Sequence, residues 1–320
     1  GPWQTILAGN LYGASGRFDR TSLQFAVVPD DLAELRYARI EHLQTLNGEG
    51  LKLSAYLSAS STEPGDEILR ALETDSESRS IGATLAYPWI RSRAENLTVQ
   101  GSIEQLESTT KQFDGPLSDD RLYPLSLGVS YDRSDTWGGG GVNLLSLTLF
   151  KGLDVFGAKS SSREAAQPEF GYLAAQARRD QVLGAGVTAT LRLSAQMADG
   201  ALPSSQQFGL GGEYSVRGYD PSEWTGDDGL SGSLEVAYRT PLGESVEGQF
   251  YGFADAGKVW RDAIQPGERR SDEARSLGLG LRAYLPQQVT LSLEGARQLD
   301  DDSLGNSPEW QGYFKASLGF

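Results

Sequence analysis

Cysteine is missing from the chain altogether, and histidine and methionine occur once each. Without thiols there is no disulfide framework and no thiolate metal site. A zinc centre takes several His or carboxylate ligands at fixed spacing, and hydrolytic triads need a His beside a nucleophile. The one histidine, His42, lies in a strand-like run between Glu41 and Leu43. It reads as a lumen or rim residue more readily than as a catalytic one. No catalytic, cofactor or metal site is therefore expected. Long apolar runs are also lacking, so no transmembrane helix is expected. Basic charge is short: 28 Lys and Arg stand against 43 Asp and Glu, for a net charge of -15. That balance argues against nucleic acid, which needs clustered cations to bind phosphate.

What the sequence does have is strict alternation. Val187, Ala189, Leu191, Leu193, Ala195 and Met197 alternate with Thr188, Thr190, Arg192, Ser194 and Gln196. Only a strand puts the first set on one face and the second on the other. Runs of this kind predict sixteen strands, near 2–11, 15–28, 35–45, 49–61, 76–88, 95–108, 122–136, 140–151, 168–180, 184–197, 204–212, 229–240, 246–260, 273–285, 288–298 and 310–320. Acidic clusters such as Asp30-Asp31, Asp227-Asp228 and Asp300 to Asp302 fall between them, as solvated turns do. Sandwiches and propellers also use many short strands. Here several runs reach the ten residues or so that cross a bilayer at a tilt, and their polar faces carry charge, as a wet lumen allows. The expectation is an all-β fold, a transmembrane antiparallel β-barrel of sixteen strands filling residues 1–320. Its mean hydropathy stays low because only every second residue meets lipid. An even strand number would put both ends of the barrel on the periplasmic side.

The segment Phe208 to Tyr219, FGLGGEYSVRGY, leads into the acidic stretch Asp220 to Gly229. It predicts a long loop with Arg217 near its tip. In the later run Phe253-Ala254-Asp255-Ala256-Gly257, parity puts Phe253, Asp255 and Gly257 on the lumen face. A carboxylate there needs a partner or water. A loop folded into the lumen would bring Arg217 as a bidentate partner, and Gly257 would leave room for the incoming loop backbone. The plainer alternative keeps Arg217 solvated and Asp255 lining a wet channel. Gly278 to Ala283 matches a loose dinucleotide fingerprint but lacks the strand-turn-helix setting, so it reads as a barrel strand. Asn96-Leu97-Thr98 is a chance sequon.

At these residues the chain resembles a known group. Val216-Arg217-Gly218-Tyr219 and the Phe253, Asp255, Gly257 motif resemble the paired signatures of the outer-membrane assembly and secretion superfamily. Within it, the segment Tyr87 to Arg93 followed by Asn96-Leu97, and the stretch Asn10 to Arg17, are similar to the two-partner secretion transporters of the haemolysin secretion/activation family. The resemblance implies that Arg217 reaches into the lumen and bonds Asp255. It implies a bacterial outer-membrane translocator with porin-like activity, exporting a large unfolded exoprotein by type V secretion. Alternatives are an outer-membrane protein insertase of the same superfamily, or the anchor barrel of a fused surface enzyme such as a patatin-like autotransporter. Partners implied are the exoprotein, membrane lipid and lipopolysaccharide, and the barrel-assembly machinery, with the barrel itself a monomer. Family members carry a plug helix and two periplasmic domains ahead of the barrel, and this chain is expected to lack them.

Phe314, Ala316, Leu318 and Phe320 end the chain as an alternating strand, similar to the C-terminal signal read by the assembly machinery. Deleting Phe320 is expected to lower the amount of heat-modifiable, assembled barrel in outer membranes. An unchanged amount would leave these residues only a lipid-facing role.

Overall fold

The computed structural model describes residues 3–16, 18–63, 74–113, 115–265, 267–303, 305 and 309–319. The strands are β1 (Thr5–Tyr12), β2 (Asp19–Val27), β3 (Arg36–Thr45), β4 (Lys52–Thr62), β5 (Asp75–Arg91), β6 (Glu95–Gln112), β7 (Gly115–Leu122), β8 (Pro124–Asp135) and β9 (Gly141–Gly152). They continue with β10 (Gly171–Gly184), β11 (Val187–Ala198), β12 (Phe208–Leu210), β13 (Trp224–Gly226), β14 (Asp228–Pro241), β15 (Glu247–Trp260), β16 (Ser271–Leu285), β17 (Val289–Gln298) and β18 (Trp310–Leu318). All but β12 and β13 form a single 16-stranded sheet.

The sheet has sixteen strands as expected, but the membership differs by one, and with β7 and β8 end to end along β6 the path across the sheet has fifteen positions. Residues 204–212 leave the sheet. The glycines there force a bend, with Gly211 and Gly212 at φ 112° and 91°, and β12 pairs only with β13. Residues 115–122 enter as β7. Both β7 and β8 lie along β6, on Leu106–Gln112 and Glu95–Ile103 respectively. They are one long strand broken at Tyr123, where Pro124 offers no N–H to the ladder.

Each neighbouring pair along the path from β1 to β18 is antiparallel, with β7 off that path. First and last strands therefore run the same way, and no ladder joins them among the described residues. They approach through Trp3 and Phe314, whose rings meet edge-on at 6.5 Å. Within residues 1–320, β1 starts at one rim and β18 finishes at the other.

The two rims differ. One carries the tight connections 13–18, 46–51, 92–94, 136–140, 185–186, 242–246 and 286–288. The other carries 28–35, 63–74, 153–170, 199–227, 261–270 and 299–309, together with the short β6–β7 connection. Short turns mark the periplasmic rim of a membrane barrel and long loops the outer rim.

The alternating pattern sets the faces. Leu191 pairs with Leu234 and Leu193 with Gly232. Leu191, Leu193 and Met197 are exposed on the outside, while Thr190 bonds Asp180 at 2.7 Å and Gln196 reaches loop carbonyls on the inside. Lipid takes the place of a core for the outer face. Among the described residues, the two buried clusters that include loop residues form where loops lie against the inner wall, and a third joins strand residues Ala237, Tyr251, Phe253 and Ala296.

Candidate functional site

The connection 199–227 turns inward. Its neck is the β12–β13 hairpin, and its tip rests on the inner face of β14 to β18. Leu210, Val216, Tyr219 and Trp224 of the loop pack with Val259 and Ala274 of the wall. Glycines on the wall make this possible. A Cβ at Gly257 would overlap the Leu210 side chain, and one at Gly229 would overlap the Phe208 ring. Gly257 thus makes room for a loop side chain, where the sequence suggested loop backbone.

Arg217 is held on all sides. Its Nε donates to Asp255 Oδ2 and its Nη2 to Asp255 Oδ1, both at 2.8 Å. Its backbone N–H also donates to Asp255, at 3.1 Å. Nη1 reaches Glu235 at 3.3 Å and Glu294 at 3.2 Å, and Nη2 reaches the Ser233 hydroxyl at 3.1 Å. The guanidinium stacks 3.3 Å from the centre of the Phe253 ring. Arg217 is 5% exposed and Asp255 3%, so the pair is dry and weakly screened rather than the wet, screened one expected of an open lumen. Arg282 supplies the second positive charge, bonding Glu235 at 2.7 and 3.1 Å and stacking on Tyr251.

The neighbours of Arg217 are tied as well. Gly218, at φ 97°, donates to the Tyr313 hydroxyl at 3.0 Å and accepts from Gln298 at 2.7 Å. The Tyr219 hydroxyl donates to the carbonyls of Arg275 and Asp300. The structure therefore brings together Val216, Arg217, Gly218, Tyr219, Phe253, Asp255 and Gly257. Glu235, Glu294, Arg282, Ser233, Gln298 and Tyr313 belong to the same cluster and were missed. Strand parity marks them as inward, but nothing local shows which inward residues a distant loop will meet.

Phe253 and Tyr251 lie flat because the facing strand has no side chains beneath them. A Cβ at Gly278 would overlap the Phe253 ring and the Gly295 carbonyl, and one at Gly280 the Tyr251 ring. Gly278→Ala is expected to lift Phe253 off the wall and destabilise the barrel by about 1–3 kcal/mol, the usual range for overpacking. A lowered midpoint for loss of heat-modifiability would show it; an unchanged midpoint would mean the wall yields freely.

A second buried cluster joins three outer loops. Arg163 of the 153–170 loop is 5% exposed and Asp227, at the end of the inward loop, 0%. They approach to 3.9 Å. Arg163 also donates to Glu268 at 3.1 Å and to the Ala263 carbonyl at 2.7 Å. Asp227 accepts from the backbone N–H of Leu202 and Asp262, at 2.8 and 2.9 Å, and from Gln207. Burial and the adjacent Asp228 and Asp227 push the Asp262 carboxyl above its ordinary value. Immediately before Arg163 the same loop is pinned to β7, where Asp120 accepts from Ser161 and Ser162.

The remaining sequence candidates lie elsewhere. His42 shares the outward face of Ile40 and bonds Thr21 near the periplasmic rim, not in the lumen. Gly278 to Ala283 is part of β16. Phe314 and Leu318 are exposed on the outer face of β18, and Phe320 lies outside the described residues.

Comparison with known proteins adds the following. A family model described as haemolysin secretion/activation protein ShlB/FhaC/HecB matches residues 51–283. The heme/hemopexin transporter protein HuxB of Haemophilus influenzae is 24% identical over 290 residues, covering 88% of this chain and 51% of that protein. CdiB from Escherichia coli superposes with a TM-score of 0.84 at 17% identity, over 99% of this chain and 59% of its own. CdiB from Acinetobacter baumannii gives 0.75 at 21%, over 98% and 56%. The chain spans about half the length of the curated relatives it matches.

Proposed function

Because this chain belongs to the haemolysin secretion/activation family, we propose that it forms the export pore of a two-partner secretion system. It is a β-barrel of the bacterial outer membrane. In this reading residues 1–320 act as one barrel domain, and the intact transporter passes a large unfolded exoprotein through the lumen to the cell surface. The outer membrane offers no nucleotide or ion gradient, so folding of the cargo outside drives the movement. HuxB is described as a heme/hemopexin transporter; the cargo of this chain is its own secreted partner. Lipid and lipopolysaccharide surround the barrel, the assembly machinery inserts it, and it works as a monomer. Arg217 and Asp255 have a conformational role and not a catalytic one.

The observation that carries this reading is the loop 199–227 pinned to one side of a polar lumen by a buried, bidentate ion pair. A simple diffusion pore has no need of such an anchor. The test is a comparison of culture supernatants from the parent strain, a strain deleted for the intact gene, and the complemented strain. One large polypeptide should vanish with the gene and return with it. A broad fall in other outer-membrane proteins would instead favour the insertase, and an unchanged supernatant would overturn the export reading.

A further inference from the structure

The lumen has two unlike walls. On β14 to β17, inward positions such as Ser231, Asp255, Ala274, Ser276 and Ala296 are buried beneath or beside the inward loop. On β4 to β9 the inward positions are largely hydroxyls. Ser58, Ser80, Thr84, Thr98, Ser102 and Ser130 all keep contact with the lumen. Neighbouring strands pair them side by side: Ser58 meets Ser80 at 2.8 Å, Ser76 meets Thr110 at 3.0 Å and Ser102 meets Ser126 at 2.6 Å.

This wall is satisfied without a ligand. A hydroxyl both donates and accepts, so each can trade its neighbour for a passing amide at little net gain, since a hydrogen bond exchanged in water is worth only about 0.5–1.5 kcal/mol. Several charges beside it have partners: on neighbouring β3, Arg39 pairs with Glu41 at 2.8 Å and stacks on Tyr56, and on the wall itself Asn96 donates to Asp132 at 2.8 Å. Tyr56 itself lies flat over Gly82, which keeps the wall low.

The two ends agree with the asymmetry. At the periplasmic foot of this wall is a cavity of about 390 Å³ bordered by Lys52, Pro88, Arg91, Asn96 and Thr98. At the outer rim the loops 153–170, 199–227 and 261–270 knit together on the β7–β16 side. Among the described residues, Ser60, Ser78 and Ser108 at the top of β4 to β6 remain half-exposed.

We propose that the translocating polypeptide runs in extended form along the β4–β9 hydroxyl wall, beside a loop that stays parked on β14 to β17. This rests on the export reading and adds to it a path and a kind of cargo. The wall suits an uncollapsed chain of mixed, mostly small polar side chains, because hydroxyls dominate its inward positions and its apolar side chains Leu106 and Phe150 are packed at the outer end against Leu122, Phe170, Tyr172 and Leu202.

Residues 1–320 contain no cysteine, so a thiol introduced there is a clean reporter once any cysteine elsewhere in the intact transporter is replaced by serine. Ser80→Cys and Ser102→Cys place one on the hydroxyl wall, and Ser276→Cys places one on the covered wall, each in the intact transporter. The probe is the polypeptide lost from the deletion-strain supernatant, given one cysteine and stalled in transit by a fused, tightly folded, cysteine-free domain. After mild oxidation, non-reducing gels should show disulfide adducts from Ser80→Cys and Ser102→Cys and none from Ser276→Cys. Adducts from Ser276→Cys would mean that the loop leaves its wall and would overturn the proposal. So would no adduct from any of the three while the unfused cargo is still secreted. Failure of the export reading is separate, since it appears as an unchanged supernatant before any thiol is introduced.

Discussion

Arg217→Ala is expected to stop export by the intact transporter almost completely and to destabilise the barrel measurably. Removing one member of a buried ion pair costs about 3–5 kcal/mol, because the other is left buried and uncompensated. Here the deficit is larger than one group. Asp255, Glu235 and Glu294 all converge on Arg217, and only Glu235 keeps another cation, Arg282. Asp255→Ala should be milder for stability, since Arg217 retains two carboxylates, yet it removes both 2.8 Å bonds that fix the loop tip. Arg217→Lys should not restore export. A lysine is a point charge that cannot bond two carboxylate oxygens in a fork while stacking flat on Phe253. The double variant should be little worse than Arg217→Ala, because both changes remove the same contact. Secretion assays report the loop, and the midpoint of heat-modifiability reports the barrel. Full export by both single variants would show that the pair is dispensable.

Asp227→Ala is expected to open the outer mouth. The change leaves Arg163 buried with the Glu268 carboxylate and the Ala263 carbonyl and strips the Leu202 and Asp262 N–H groups of their acceptor. Each orphaned buried donor costs about 1–3 kcal/mol. The loss falls on loops and not on the barrel ladder, so it should appear as movement rather than unfolding. Conductance in planar bilayers should rise from a mostly closed trace to frequent open events, with heat-modifiability close to that of the parent. Arg163→Ala should act in the same direction. A trace as quiet as the parent's for both variants would show that the three loops close the mouth without this contact.

The inner latch could be suspected in the sequence because two separate motifs each carried half of it, and a family resemblance joined them. The outer contact had no such help. Arg163 lies in a stretch without alternation, and its carbonyl and carboxylate partners lie 100 and 105 residues further on. Glu235 and Glu294 were legible as inward-facing carboxylates in regular strands, but a strand's parity does not reveal which lumen positions a loop will cover. The segment 204–212 failed for a related reason. Phe208 and Leu210 alternate as a strand should, and they do form one, but its partner is Trp224–Gly226 within the same loop.

By itself, then, the sequence determined the all-β architecture, the lipid and lumen face of each long strand, and the presence of a long loop carrying Arg217. These follow from a period of two residues, which is a local property that the bilayer reads directly. The tertiary structure decided that the loop lies on β14 to β18, that Arg217 meets three carboxylates, and that hydroxyls line the wall left open. Those contacts join residues 18, 38 and 77 positions apart. They depend on which strands the curved sheet sets opposite the loop, and no local period carries that information.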